Sequence, residues 1–199
     1  MVLVKWWLAG LFALVAWQRF WLEGREHHGA RRGEVKDAWT GYAMVTLHIL
    51  TYLLTAIETS LRWADHPVDL RVTSLGLSLF LAGFILRRWA IRTLGPCWSL
   101  QIEIRPEHRL IREGPYGWIR HPNYLALMLE VVALPLVSQA FRTLLLVLCA
   151  YYPLILLRLF REERVLLTSF PEYRRYRQEC GALWPRPLRW HGRQGDSFG

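Results

Sequence analysis

Within residues 112–126, REGPYGWIRHPNYLA, a histidine, an asparagine and two tyrosines are interleaved with glycines and prolines between two strongly apolar regions. Proline disfavours helix at the residue before it, and glycine admits backbone geometries that other residues resist. Gly114, Pro115, Gly117 and Pro122 therefore predict a shaped loop that opens a helix just after Pro122. A second set, Arg158, Arg161, Glu162 and Glu163, stands at the end of a long apolar run. A shaped loop at the mouth of an apolar helix is a good place for a ligand, and the second set brings further charged side chains. A helix advances ~100° per residue, which puts Tyr151, Arg158 and Glu162 near one stripe and Tyr152 and Glu163 near the next. The two acids need not share a role.

Taken alone, these residues leave alternatives open. Arg158 and Glu162 have the spacing of an ordinary surface ion pair worth a few tenths of a kcal/mol. His121 could equally be a structural cap or a hydrogen-bond donor. Glu130 lies inside an apolar run, where an ionised acid costs at least a few kcal/mol unless it is paired or hydrated. It could be neutral, could bond a neighbouring helix, or could line a polar cleft with Asn123, which falls roughly on its face.

The elements that position these residues are apolar blocks: Leu3–Leu22, Gly41–Trp63, Val72–Ile91, Tyr124–Ala140 and Phe141–Phe160. With 53% hydrophobic residues and 11 tryptophans in 199, and with most charge between the blocks, the composition is that of a polytopic membrane protein. Trp6, Trp7, Trp17 and Trp21 bracket the first block like interfacial aromatics, which favours a retained span over a signal peptide. The fourth block is short for the ~30 Å hydrocarbon layer. The fifth contains Pro153 and is expected to kink there. With only 138–141 between them, the last two form a helical hairpin. Polar groups in the second block, His48 and Glu58, are expected to face protein or an interface. Alternating apolar residues at Trp98, Leu100, Ile102 and Ile104 predict a short extended segment.

The expected fold is thus an all-α integral membrane protein of about five transmembrane helices with a cytoplasmic cofactor site. Residues 1–188 form one membrane-embedded domain and 189–199 a disordered tail. All Lys and Arg except Lys5, Arg62, Arg71 and Arg142 fall on one side if the loops at 23–38 and 92–120 share it with the C-terminus. That bias puts the N-terminus outside and the C-terminus in the cytoplasm. The net charge of +9 is explained by a surface facing anionic membrane lipids, and with no recognition motif beside it, nucleic acid is not a partner. Cys97, Cys149 and Cys180 are far apart and form no C-x-x-C pair, so no disulfide framework or metal site is indicated.

RHPNY at 120–124, preceded by Leu110-Ile111 and Gly114-Pro115-Tyr116, is followed by Arg158-x-x-x-Glu162-Glu163-x-x-Leu166 and Phe170-x-x-Tyr173-x-x-Tyr176. In order and spacing this resembles the isoprenylcysteine carboxyl methyltransferase family from Leu94 to Pro187. The family often has Gly where this chain has Ala126. The resemblance implies an integral-membrane methyltransferase that uses S-adenosylmethionine. Tyr116, His121, Pro122, Tyr124 and Glu163 would surround the cofactor, while Arg158 and Glu162 would lie toward a lipophilic small-molecule or lipidated methyl acceptor with a carboxyl or hydroxyl group. The absence of a G-x-G-x-x-G after a strand agrees with a cofactor site unlike the Rossmann type. NADPH-dependent sterol or steroid reductases resemble the chain in the same R-H-P-N-Y stretch, but the Glu162-Glu163 pair and the short five-span length favour the methyltransferase. A phospholipid N-methyltransferase is a nearer variant, and a non-catalytic scaffold would leave the polar clusters without a purpose.

Overall fold

The protein is described from a computed structural model covering residues 33–62, 68–104 and 110–186. The expected first span, Leu3–Leu22, and the expected tail at 189–199 lie outside the described residues. Strand β1 (Glu34–Asp37) leads into helix α1 (Trp39–Arg62); helix α2 (Leu70–Leu94) follows, then strand β2 (Ile102–Ile104). After a 3-10 turn at Gly114–Gly117 come helix α3 (Pro122–Val137), the long helix α4 (Phe141–Ser169) and the short helix α5 (Tyr173–Glu179).

Three of these helices, α1, α2 and α4, are long and apolar enough to cross a membrane, and the protein is an integral membrane protein. Their outer faces carry exposed Leu53, Ile57 and Leu61 on α1 and Leu77, Leu81 and Ile85 on α2, the surface that hydrocarbon would solvate. Helix α3 is different. Its 16 residues cover about 24 Å at 1.5 Å per residue, less than the hydrocarbon thickness, and it is buried by its neighbours along most of its length.

Helices α2 and α3 make the most extensive helix–helix contact among the described residues. The reason is in the small residues. A Cβ added at Gly76 would stand 2.7 Å from the Val137 amide nitrogen, and one at Gly83 would stand 2.9 Å from both the Ala126 carbonyl oxygen and Glu130 Cγ. Glycine thus lets the two backbones touch, the usual way helices associate where both partner and lipid are apolar. Ala126, fully buried, keeps this approach although it carries a methyl group. Helix α4 contains a π-helical turn at Val147–Tyr151, directly before Tyr152 and Pro153. Proline lacks the N–H that continues the ladder, and the wider turn lies where that bond is missing.

At one end of the bundle, Glu58 of α1 caps α4 from the side. Its carboxylate accepts from the Arg142 amide at 3.0 Å and from the Thr143 amide and hydroxyl, each at 2.8 Å, satisfying donors that a helix start leaves open. At the opposite end, β1 and β2 pair antiparallel with Glu34 opposite Ile104 and an irregularity between Val35 and Asp37. The extended segment expected near Ile102 is therefore present. Its partner corrects the all-helical expectation: Glu34–Asp37, which reads as polar loop because both charge signs alternate there, is a strand.

Gly83→Val should push Ala126 and Glu130 off α2 and lower stability by about 1–3 kcal/mol, the usual cost of overpacking. Thermal unfolding of the detergent-solubilised chain measures it, and the same change at exposed Leu81 should have little effect.

Candidate functional site

The loop before α3 is held from both sides. Gly114 adopts φ of +55°, a left-handed conformation that favours glycine, and a Cβ there would stand 2.8 Å from Thr93 Oγ1 and 3.0 Å from Trp89 Nε1 at the end of α2. On its other side the loop pairs with the segment after α5. The Arg120 amide donates to the Gly181 carbonyl at 2.8 Å and the His121 amide to the Ala182 carbonyl at 3.0 Å. Pro122 then occupies the first turn of α3, where a missing N–H costs nothing.

Glu163 of α4 is where these segments converge. Its Oε1 accepts from Arg120 Nε at 2.9 Å and Nη2 at 2.5 Å, lies 3.2 Å from His121 Nε2, and accepts from the Tyr173 hydroxyl at 3.4 Å. Oε2 stands 3.4 Å from Arg177 Nε. Arg120 also donates to the Arg177 carbonyl at 3.1 Å and to the Cys180 carbonyl. Carboxylate, guanidinium and imidazole are all buried.

One turn away, Arg158 makes a second buried hub. It donates from Nε to the Tyr124 hydroxyl at 3.0 Å, from Nη1 to Thr40 Oγ1 at 2.8 Å and from Nη2 to the Leu100 carbonyl. The Tyr124 hydroxyl donates in turn to Glu162 Oε2 at 2.5 Å. Arg158 and Glu162 thus communicate through a tyrosine and form no direct surface pair. Asp37 joins this end to β1, accepting from the Thr40 amide at 3.2 Å and from Arg161 Nη1 at 3.0 Å. Burial works to raise the Asp37 carboxyl, but these hydrogen bonds and the Arg161 charge outweigh it, so it stays below the usual carboxylate range.

A cavity of about 480 Å³ follows α4 on both sides of Arg158. Toward the C-terminal segment it is walled by Leu110, Val165, Leu166, Phe170, Tyr173 and Tyr176; toward the middle of the bundle it is walled by Met44, Val45, Ile49 and Leu127. Burial, reinforced by the Glu162 carboxylate, pushes the Tyr116 hydroxyl well above its ordinary range. Burial does the same to Tyr173 and Tyr176, aided by Glu163 at Tyr173 and by Cys180 at Tyr176. These phenols therefore present neutral O–H groups at any physiological pH. Asn123 also lines the cavity, and its Oδ1 is buried with no hydrogen-bond partner among the described residues.

Residues 75–168 match the model of the isoprenylcysteine carboxyl methyltransferase family. Over that stretch the chain is similar to the family. It is similar to an uncharacterized protein of Bacillus subtilis, 35% identical over 102 residues that make up 51% of this chain and 58% of that protein. It is also similar to protein-S-isoprenylcysteine O-methyltransferase B of Arabidopsis thaliana, 42% identical over 55 residues, 27% of this chain and 28% of that one. In fold it is similar to the solved structure of the eukaryotic intramembrane Ras methyltransferase, an isoprenylcysteine carboxyl methyltransferase. The TM-score is 0.63 at 21% identity, covering 89% of this chain and 63% of the other. The chain thus spans less than two thirds of the length of each.

Within this fold, the residues singled out from the sequence separate into two groups. Tyr116, His121, Tyr124, Arg158 and Glu162 line the cavity, and Tyr151, expected on the same stripe as Arg158, joins them. Pro122 and Glu163 are not among the lining residues. Glu163 lies behind the wall, its oxygens engaged by Arg120, His121, Arg177 and Tyr173. Sequence reasoning passed over Arg120, although it is the first letter of the RHPNY motif, and Arg87, which lines the cavity and stands 3.8 Å from Glu130. The signal for Arg87 is Glu130 itself, because a buried acid in an apolar helix requires a cation or donors nearby. Thr40 and the Leu100 carbonyl, which hold Arg158, carry no sequence signal at all.

Glu163→Gln should remove the anion that Arg120 is buried against and lower stability by about 3 kcal/mol. Arg120→Gln should do likewise, and the double variant should lose less than the sum of the two; a double-mutant cycle by denaturant unfolding measures the coupling.

Proposed function

We propose that this chain transfers a methyl group from S-adenosylmethionine to a carboxyl or hydroxyl group of a lipophilic acceptor that enters from the bilayer. The observation that carries this reading is the single cavity with chemically unlike arms on either side of Arg158, Tyr124 and Glu162. The aromatic arm near Tyr173 and Tyr176 suits a flat, polar-edged ligand, and the arm along Met44, Ile49 and Leu127 suits a hydrocarbon. Names of relatives such as the Arabidopsis protein support the same chemistry.

The residues present fit the donor molecule. Its ammonium and sulfonium charges need acceptors, and the buried Oδ1 of Asn123 and the Glu162 carboxylate at the cavity wall supply them. When bound, it supplies a methyl group on a positively charged sulfur, open to in-line displacement. Tyr116, His121 and Tyr124 would contact it. Pro122 and Glu163 would act from behind the wall, Pro122 by starting α3 and Glu163 by fixing His121. Arg158, already oriented by Thr40 and the Leu100 carbonyl, would hold an acceptor carboxylate beside the Tyr124 hydroxyl. A carboxylate needs no general base; a hydroxyl acceptor could pass its proton to Glu162. One cavity would hold donor and acceptor together, so alignment supplies most of what the displacement needs.

The end of the bundle that carries β1, β2, the 112–121 loop and α5 would face the cytoplasm, since it gathers Arg112, Arg161, Arg164, Arg174, Arg175 and Arg177. Calorimetry on the purified chain should show binding of S-adenosylmethionine and of its demethylated product, and none of NADPH. The reverse pattern would sink the methyltransferase reading in favour of a reductase. In membranes supplied with labelled S-adenosylmethionine, Arg158→Lys should cut methyl transfer to lipid-soluble material at least about tenfold, because an ammonium cannot reproduce the planar fork.

A further inference from the structure

The arm that runs into the bundle is not apolar to its end. His48 of α1 lines the cavity, with Nδ1 2.9 Å from the Tyr151 hydroxyl and Nε2 2.8 Å from the Tyr52 hydroxyl. Tyr52 and Tyr151 line it too. The tyrosine rings meet the imidazole edge-on, at centroid distances of 4.7 and 5.8 Å. Three polar side chains are thus gathered within two membrane-spanning helices, at a place that a purely hydrocarbon ligand would gain nothing from.

Their depth follows from helix geometry. Gly41 lies against Arg158, since a Cβ there would stand 3.2 Å from Arg158 Nη1. His48 is two turns from Gly41 on α1, and Tyr151 is two turns from Arg158 on α4, so the cluster sits about 10 Å from Arg158 along both helices. That is too far for His48 to exchange a proton with a group held at Arg158. All three residues line the cavity, so an oxygen-bearing group of a ligand in this arm would meet hydrogen-bonding side chains there.

We propose that His48, Tyr52 and Tyr151 form a second polar subsite that takes an oxygen-bearing group of the acceptor, about 10 Å from the atom that is methylated. The acceptor class is then a compact lipophilic acid or alcohol with a hydroxyl or carbonyl toward its far end, in preference to one with a long unbroken hydrocarbon tail. The subsite lies outside the family-matched residues 75–168 for two of its three members, so it is a feature by which acceptor choice can differ between relatives. The proposal rests on the reading that the reacting group docks at Arg158.

The test is direct calorimetric binding of ω-hydroxydecanoic acid and of decanoic acid to the full chain in detergent, with no turnover required. The unaltered chain should bind the hydroxy acid about fivefold more tightly, the worth of one net hydrogen bond. Tyr52→Phe, which keeps the ring, and His48→Leu should both bring that ratio to about one and leave decanoic acid binding within about twofold. No preference in the unaltered chain, or a preference that survives in both variants, overturns the proposal. So does a loss of thermal stability in the variants with the ratio unchanged, which would make the triad a strut between helices. Binding of S-adenosylmethionine, measured separately on the unaltered chain, reports on the methyltransferase reading by itself.

Discussion

The Glu163 carboxylate is the constraint on which the rest of the site depends. Four side chains from two segments reach it: Arg120 and His121 before α3, Tyr173 and Arg177 on α5. A buried ion in a membrane helix is tolerable only when its hydrogen-bonding capacity is filled, so each of these partners is held where Glu163 requires it. The imidazole of His121 and the start of α3 inherit that placement, and with them Tyr124 and the cavity wall. Neighbouring Glu162 is left facing the cavity. Adjacent acids therefore divide the work, one anchoring the scaffold and the other available to a ligand.

Around that anchor, the bundle deals with polar groups in two ways. Where helices must come close, as α2 and α3 do at Gly76 and Gly83, the side chains are reduced until backbones touch. Where polar groups must be kept inside, they are bonded across helices: Glu58 to the start of α4, Arg158 to Thr40 and Leu100, His48 to Tyr151. The first arrangement sets helix spacing and the second sets rotation about each helix axis. Among the described residues they leave a cavity against α4.

Much of this was legible in the residues because helical periodicity and proline chemistry are local. The stripe Tyr151, Arg158, Glu162 follows from ~100° per residue, and the opening of α3 after Pro122 follows from ring geometry. The nearness of 112–126 to the end of the last long helix follows from the hairpin between them. What was not legible depends on distant contacts. Glu34–Asp37 becomes a strand only because β2 lies beside it. Arg120 reads as one more positive charge until Glu163 and the Cys180 carbonyl are placed against it. Glu163 looks like a ligand group for the same reason: type and spacing say that an acid is present, and only its partners say that its oxygens are engaged.

The pairing of Arg120 and His121 with Gly181 and Ala182 is a contact between the middle of the chain and nearly its last described residues. During synthesis the membrane helices are made and inserted before those residues emerge, so α3 and α4 can stand side by side in the bilayer while the loop between α2 and α3 still lacks its backing. The site is then assembled by the final segment, as a bolt closes a frame already in place. A chain arrested short of that segment would sit in the membrane as a bundle of normal outline, with its cavity wall unfinished.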